Sequence, residues 1–267
     1  MNEGDGVITR SAPADASGVG VIGGSKADPF SPYDLITPSP SLQARVDKVL
    51  AMAGDASRSS GRQPDDVTIV AVTKTVGRDT IDEACALGLR HFGENRVQDA
   101  KRKLTDPPLP DGTVLHLIGQ LQSNKAKPAA ALFDVIESVD RISLIEALEK
   151  EAERRREPVS VLLQVNIARE PQKAGCVPES ASDLMQRLVS SPWLRPQGLM
   201  TIAPLVADPE ETRPVFSALR KLRDALQREH PTVVLDTLSM GMSDDFRVAI
   251  EEGATSVRIG RAIFDGG

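Results

Sequence analysis

The sequence of 267 residues is poor in aromatic residues, cysteine and histidine. Aromatic side chains make up 3% of the chain, which has two cysteines, Cys85 and Cys176, and three histidines. The cysteines are far apart and match no metal-ligand or redox spacing, so we expect reduced thiols, no metal site and a cytoplasmic protein. Scarce aromatics, a net charge of −6 and the lack of a basic stripe argue against nucleic acid as a partner.

Long hydrophobic runs are missing as well. No apolar stretch approaches the roughly 20 residues that a membrane span requires. The N-terminus has no charged start followed by an apolar core, which is the pattern of a secretory signal. We therefore expect no membrane partner, and the contents of 40% hydrophobic and 26% charged residues are those of an ordinary globular protein.

Residues 1–40 differ in composition from the rest of the chain. They contain six glycines, five prolines and five serines, without a periodic apolar pattern. A segment of this kind cannot bury enough apolar area to offset the entropy of ordering its backbone. We therefore predict a disordered N-terminal tail over residues 1–40 and one folded domain over residues 41–267.

From residue 41 onward, apolar strands alternate with amphipathic helices. The clearest strands are VTIVAV at 67–72 and VSVLLQVNI at 159–167, and a long amphipathic helical pattern covers 141–157. Eight strands, each but the last followed by a helix, predict parallel strands with right-handed crossovers. We therefore predict an α/β fold, a single (β/α)8 barrel of the TIM type. An open doubly wound sheet is the alternative, although no G-x-G-x-x-G follows the first strand.

Lys74 interrupts an otherwise apolar run at the carboxyl end of the first strand, where functional residues of such a barrel lie. It could simply extend from the strand end into solvent. Alternatively, it lies in a partly apolar mouth that lowers its pKa, and a neutral amine can attack an aldehyde. Pyridoxal 5'-phosphate (PLP) is the aldehyde that proteins hold as an imine on such a lysine.

Two short loops are candidates for a phosphate site. SMGMS at 239–243 precedes a predicted helix, and RIGR at 258–261 ends the last strand. Backbone N–H groups beside a glycine at a helix start can bind an anion, and phosphate sites in this fold often come from the last two strand loops. The alternative for SMGMS is a simple turn.

Arg258 lies inside the last predicted strand, where a charge cannot be left free. It must either face the mouth of the barrel or pair with an acid. A guanidinium beside a pyridine nitrogen would keep that nitrogen unprotonated, and the ring would then be a weak electron sink.

Six motifs together resemble the pyridoxal phosphate homeostasis proteins, whose barrel is similar to the N-terminal domain of alanine racemase. These motifs are AVTKT, HFGENRVQDA, LHLIGQLQSNK, GLMTIAP, LSMGMSDDF and GATSVRIGRAIF, and they occur in the family's order between about residues 41 and 264. The resemblance implies a protein that sequesters PLP and delivers it to apo-enzymes. It implies a binding protein of vitamin B6 homeostasis, not an enzyme.

The resemblance also assigns site residues. It implies an imine on Lys74 and an Arg258 that faces the pyridine nitrogen, and it suggests that Lys173 in QKAG affects cofactor handling. The other cofactor-binding residues that it implies are Asn95, Ser123, Asn124, Met240, Gly241, Met242, Ser243, Gly260 and Arg261. Arg261 departs from the family, which usually has a small hydroxyl residue there. The ending IFDGG also predicts a short or absent last helix.

Two enzyme classes remain as alternatives. A PLP-dependent racemase-like enzyme needs acid or base groups on both faces of the substrate carbon, usually with help from a second β-rich domain. The only tyrosine, Tyr33, falls in the predicted tail, so we expect at most weak activity of this kind. An aldolase-like barrel would form its imine with a sugar phosphate and would not need Arg258. Because we expect no second domain, a monomer is the default.

Overall fold

A computed structural model describes residues 32–265 of the chain. Eight parallel strands close into a barrel in chain order, so β1 pairs with both β2 and β8. The strands are β1 (Thr68–Val72), β2 (His91–Glu94), β3 (Val114–Leu117), β4 (Val135–Val139), β5 (Val159–Gln164), β6 (Leu194–Met200), β7 (Thr237–Ser239) and β8 (Ser256–Ile259). The predicted (β/α)8 barrel is confirmed, and the open sheet is wrong.

Helices surround the barrel and connect successive strands. They are α1 (Pro40–Ser59), α2 (Arg78–Ala86), α3 (Val97–Leu104), α4 (Ala126–Leu132), α5 (Ile142–Arg155), α6 (Ala181–Val189), α7 (Arg213–Glu229), α8 (Phe246–Glu251) and α9 (Arg261–Phe264). Short 3-10 turns precede α4, α6 and α7. No helix within residues 32–265 is both long enough and apolar enough to cross a membrane.

Side-chain alternation along the strands creates two buried layers. Residues such as Ala71 and Phe92 belong to the large apolar core that packs between the sheet and the helices. Val70, Val72 and Met200 are buried but lie outside that core, so they fill the interior of the barrel. The same alternation directs a charged residue at an interior position toward the barrel axis.

Helix α1 covers the gap that the short C-terminal helix leaves. Helix α9 has only one turn, as the sequence predicts, and α1 packs against both α8 and α9. The side chain of Arg45 on α1 donates from Nε to the backbone oxygen of Ile263, at 2.6 Å. Because β1 and β8 meet at this side of the barrel, α1 completes the apolar layer over their junction.

The predicted boundary at residue 41 is wrong. Pro32–Leu35 forms a 3-10 turn, and the Tyr33 hydroxyl donates to the backbone oxygen of Pro108 at 2.9 Å. The backbone N–H of Ser39 donates to Glu83 on α2 at 2.8 Å. The average composition of residues 1–40 hid this short anchoring segment. The rest of the predicted tail, residues 1–31, lies outside the described residues.

Candidate functional site

The loop after β1 carries Lys74. The strand ends at Val72, and Lys74 follows it by two residues, in a turn. The side chain of Lys74 is exposed to solvent. This exposure agrees with the first of the two alternatives, in which Lys74 extends from the strand end into solvent, and not with burial in an apolar mouth. An exposed amine at the rim can meet an incoming aldehyde.

A buried ion pair holds the backbone next to Lys74. The ammonium of Lys103 on α3 lies 2.5 Å from the Glu94 carboxylate, and their side chains are 10% and 1% exposed. Lys103 Nζ also donates to the backbone oxygen of Thr73 at 2.7 Å, and the Thr73 hydroxyl donates to Glu94 at 2.6 Å. Two polar contacts from this ion pair thus fix Thr73, the residue before Lys74.

Loops after β2 and β3 line the same end of the barrel. Asn95 and Asn124 are exposed, and Ser123, which begins a 3-10 turn, is half-buried. Gly119 allows these loops to approach closely, because a Cβ added there would lie 2.2 Å from the backbone oxygen of Asn95. The three predicted side chains therefore lie on neighbouring loops at the barrel mouth.

The loop after β7 forms a tight cradle. Gly241 has a φ of +92°, and a Cβ there would lie 2.5 Å from the Cβ of Ala249 on α8, so only glycine fits. The side chain of Met240 is buried in the helix-facing core, so it cannot line the mouth as predicted. Because side chains alternate along β7, Met240 faces outward where Ser239 faces the interior.

Two backbone N–H groups of the cradle are already capped from within the chain. Met242 N donates to the carboxylate of Asp245 at 2.6 Å, and Ala262 N donates to the hydroxyl oxygen of Ser243 at 3.2 Å. Burial raises the pKa of Asp245, against the opposing effect of its hydrogen bond from Met242. The Ser243 contact joins the loop after β7 to the start of α9, and the Ser243 hydroxyl hydrogen remains available to donate.

Gly260 and Arg261 follow β8 beside this cradle. Gly260 precedes α9, and a Cβ there would lie 3.4 Å from the Cβ of Val72 on β1. Arg261 forms an ion pair with Asp244, and its side chain is 66% exposed. The guanidinium of Arg261 is therefore directed to a neighbouring carboxylate at the rim.

Arg258 is buried within the barrel, with 3% of its side chain exposed. Its Nη1 donates to the Ser239 hydroxyl at 2.5 Å, and its Nη2 donates to the backbone oxygen of Thr201 at 2.7 Å. The Glu137 carboxylate lies 3.9 Å from Nη1. Burial lowers the pKa of Arg258, and the charges of Glu137 and Asp245 oppose that effect. Of the two environments that the sequence allows for Arg258, the structure shows a nearby acid, Glu137, and a contact of Arg258 with the cofactor stays a prediction.

Lys173 lies on the loop after β5. Its Nζ donates to the backbone oxygen of Ala203 at 2.8 Å and forms an ion pair with Glu170. The amide of Asn166 donates to the backbone oxygen of Glu170 at 2.9 Å. These contacts join the loops that follow β5 and β6, so Lys173 acts on the shape of the mouth through the backbone.

Several polar residues of the barrel were missed in the sequence. Glu94, Lys103 and Glu137 were not among the predicted site residues, and Ser239, part of the candidate phosphate loop, bonds Glu137 in the barrel interior instead. A charged residue inside an apolar strand was the available signal, since VIESV and HFGEN carry one each, just as SVRIG carries Arg258. No group of three or more potential metal-ligating side chains was found in the described part of the chain.

Comparisons with known proteins agree with this geometry. The family described as "Alanine racemase, N-terminal domain" matches residues 55–266. A pyridoxal phosphate homeostasis protein from Aquifex aeolicus is 41% identical over 223 residues, which cover 82% of this chain and 96% of the relative. A protein of the same name from Pseudomonas aeruginosa is 41% identical over 226 residues, which cover 84% of this chain and 94% of the relative.

A solved structure adds a fold comparison. PipY from Synechococcus elongatus, in a structure with PLP bound, superimposes with a TM-score of 0.72 and 38% sequence identity. The match covers 84% of this chain and 99% of PipY. The similarity therefore extends over the whole length of that protein.

Proposed function

The chain belongs to the pyridoxal phosphate homeostasis protein family, and we propose that it binds PLP, sequesters this reactive aldehyde and delivers it to other proteins. One observation carries the proposal. Closure of the barrel makes β7, β8 and β1 neighbours, so the loops with Ser243, Gly260 and Lys74 are adjacent at one end. An amine and a glycine-containing anion cradle are what a phosphorylated aldehyde requires.

The residues present fit each part of the cofactor. Bound PLP supplies an aldehyde carbon, a phosphate and a pyridine ring. In the proposal, Lys74 Nζ forms the imine with loss of one water, while the Ser243 hydroxyl and the backbone around Gly241 and Gly260 hold the phosphate. Arg258, buried below the mouth, would face the ring nitrogen. The loops with Asn95, Ser123 and Asn124 would border the ring.

A weak racemase-like activity is the alternative function. It needs a second acid or base group on the opposite face of the substrate carbon. The hydroxyl of Tyr33 is occupied by the backbone oxygen of Pro108 and by Arg78 at 2.9 Å each, on the outside of α2. The names of the relatives describe homeostasis and not catalysis. We therefore favour the binding protein.

The proposal extends to partners and location. Recipients would be apo-enzymes that use PLP, and the binding protein would act as a monomer in the cytoplasm. The two cysteines, Cys85 and Cys176, are free and buried. Burial raises the pKa of each thiol to about 12, so neither is a reactive thiolate at neutral pH.

The experiment that tests the proposed function is reduction of the PLP-treated protein with borohydride, followed by peptide mapping by mass spectrometry. We expect visible absorption before reduction and a pyridoxyl group on Lys74 afterwards. Lys74→Arg should lose both signals. The matched control is Lys101→Arg, an exposed lysine on α3, which should retain them.

Two further comparisons test the phosphate site and the choice of ligand. Gly241→Ala should weaken PLP binding more than pyridoxal binding, whereas Gly88→Ala, at a φ of +86° with open space around the added Cβ, should not discriminate between the two. A keto-sugar phosphate replaces PLP in a parallel reduction. A colourless protein with no adduct on Lys74 would refute PLP binding, and trapping of the sugar alone would favour the aldolase-like alternative.

A further inference from the structure

A continuous line of hydrogen-bonded side chains crosses the interior of the barrel from β2 to β8. Glu137 on β4 is at its centre and is 1% exposed. One carboxylate oxygen, Oε1, lies 2.7 Å from His116 Nδ1, and the other, Oε2, accepts a hydrogen bond from Ser239 at 2.6 Å. His116 Nε2 in turn lies 3.0 Å from His91 Nδ1. Arg258 on β8 donates to Ser239 and completes the line. We call His91, His116, Glu137, Ser239 and Arg258 the interior relay.

One assignment of protons satisfies every contact of the relay. On the histidine side, His116 donates from Nδ1 to Glu137, and one proton lies between His116 Nε2 and His91 Nδ1. From the other side, Arg258 donates to Ser239, and Ser239 donates to Glu137. Both sides therefore donate to one carboxylate, which balances one guanidinium.

The charge state of Glu137 agrees with this pattern. Burial alone would raise its pKa, but the hydrogen bond from His116, the charge of Arg258 and the Ser239 hydroxyl together lower it below the usual value. The ionised Glu137 carboxylate is thus buried, and the Ser239 hydroxyl bridges it to the Arg258 guanidinium. Such an arrangement is stable only while all partners are present.

We propose that Glu137, acting through Ser239, is a positioning residue that fixes the direction and offsets the charge of the Arg258 guanidinium. This inference rests on the proposed function, because the guanidinium matters there as the neighbour of the PLP ring nitrogen. Both terminal nitrogens of Arg258 donate hydrogen bonds, one to Ser239 and one to Thr201, and these two bonds fix the plane of the guanidinium. Among the contacts of residues 32–265, none involves its Nε.

The charged groups around Arg258 show which anion compensates the charge of its guanidinium. The titratable groups that face it are Glu137 from β4, Asp245 before α8, and His116 with His91 beyond them. Its neighbour across the β1 pairing is the apolar Val70. Glu137 is therefore the anion nearest to the guanidinium, and its removal leaves an uncompensated positive charge in the barrel.

The test compares Glu137→Gln and Ser239→Ala with wild-type protein. The first measurement uses the PLP-free protein: nitrogen NMR of the Arg258 side chain should give slowly exchanging Nη–H signals, which both variants lose. The second measurement is the pH titration of the visible absorption after PLP is added. Because an extra positive charge disfavours a protonated imine, Glu137→Gln should lower its midpoint by about half a unit to one unit. Ser239→Ala should shift it less, since the carboxylate stays.

Ser138→Ala is the matched control, because Ser138 is fully buried and its hydroxyl has no hydrogen-bond partner among the described residues. It should match wild type in both measurements. Wild-type NMR signals and an unshifted midpoint in Glu137→Gln would overturn the proposal; if that variant does not fold, Ser239→Ala decides by the NMR signals. Failure of wild-type protein to bind PLP would refute the proposed function, while the PLP-free measurement would still test the positioning role.

Discussion

At the residue scale, single charges inside this barrel are informative because the interior cannot leave them free. Arg258 and Glu137 each interrupt an apolar strand, and the structure pairs them through one serine hydroxyl. Lys74 also interrupts an apolar strand, yet it stays exposed because β1 ends before it. The same sequence signal thus leads to opposite environments, depending on where the strand ends.

His91 predicts a pH dependence of stability. Burial and the neighbouring His116 lower its pKa to about 4, compared with 6.5 for a free imidazole. Between pH 6.5 and 4, the unfolded chain therefore binds a proton at His91, whereas the folded chain keeps this histidine neutral. The stability that the neutral His91 contributes is fully present above pH 6.5 and is lost as the pH drops toward 4, and the loss amounts to roughly 3 kcal/mol at the lower limit.

The measurement is urea unfolding between pH 4 and 7. His91→Gln should flatten the slope of the free energy of unfolding in that window, because glutamine does not titrate. Ser138→Ala, which changes a buried residue that does not titrate, should keep the wild-type slope. Equal slopes in all three proteins would show that His91 is not the group responsible.

At the scale of elements, helix α3 holds the loop that carries Lys74. The Glu94–Lys103 pair connects β2 to α3 and bonds the backbone of Thr73. Loss of one member leaves a buried charge, so Glu94→Gln should destabilise the protein by about 3–5 kcal/mol. We also expect slower imine formation on Lys74, because its loop loses an anchor.

A second ion pair on the same helix supplies the control. Asp99 and Arg102 are paired at 3.0 Å, but their side chains are 34% and 74% exposed. Asp99→Asn should therefore cost less than about 1 kcal/mol and leave the reaction rate of Lys74 unchanged. Stopped-flow absorption with PLP measures the rate, and chemical unfolding measures the stability. A similar cost in both variants would contradict the special role of the buried pair.

At the scale of the whole molecule, the segment before α1 attaches to the barrel at two points. Tyr33 contacts Pro108 and Arg78, and Ser39 contacts Glu83. Each lost hydrogen bond of this kind costs about 0.5–1.5 kcal/mol. A chain that lacks residues 1–39 and thus these three hydrogen bonds should therefore be less stable than one that lacks residues 1–31, by about 1.5–4.5 kcal/mol.

Thermal or urea unfolding of the two truncated proteins checks this expectation, and their PLP affinity serves as the second measurement. Because the anchoring contacts lie on the outer side of α2, we expect equal affinity in both. Identical stability would mean that the anchoring segment does not contribute to the folded state.

Local patterns in the sequence determined the number, order and parallel direction of the strands, because periodicity and turn residues act over neighbouring positions. They also located Lys74, the SMGMS and RIGR loops and Arg258. Only the tertiary structure decided that the barrel closes, which makes β1 the neighbour of β8. Closure likewise joined Glu137 to Ser239, which are 102 positions apart, and no local pattern encodes such a contact. Burial itself is a property of the assembled barrel, and for that reason only the structure decided between an exposed and a buried Lys74 and placed the Met240 side chain in the core.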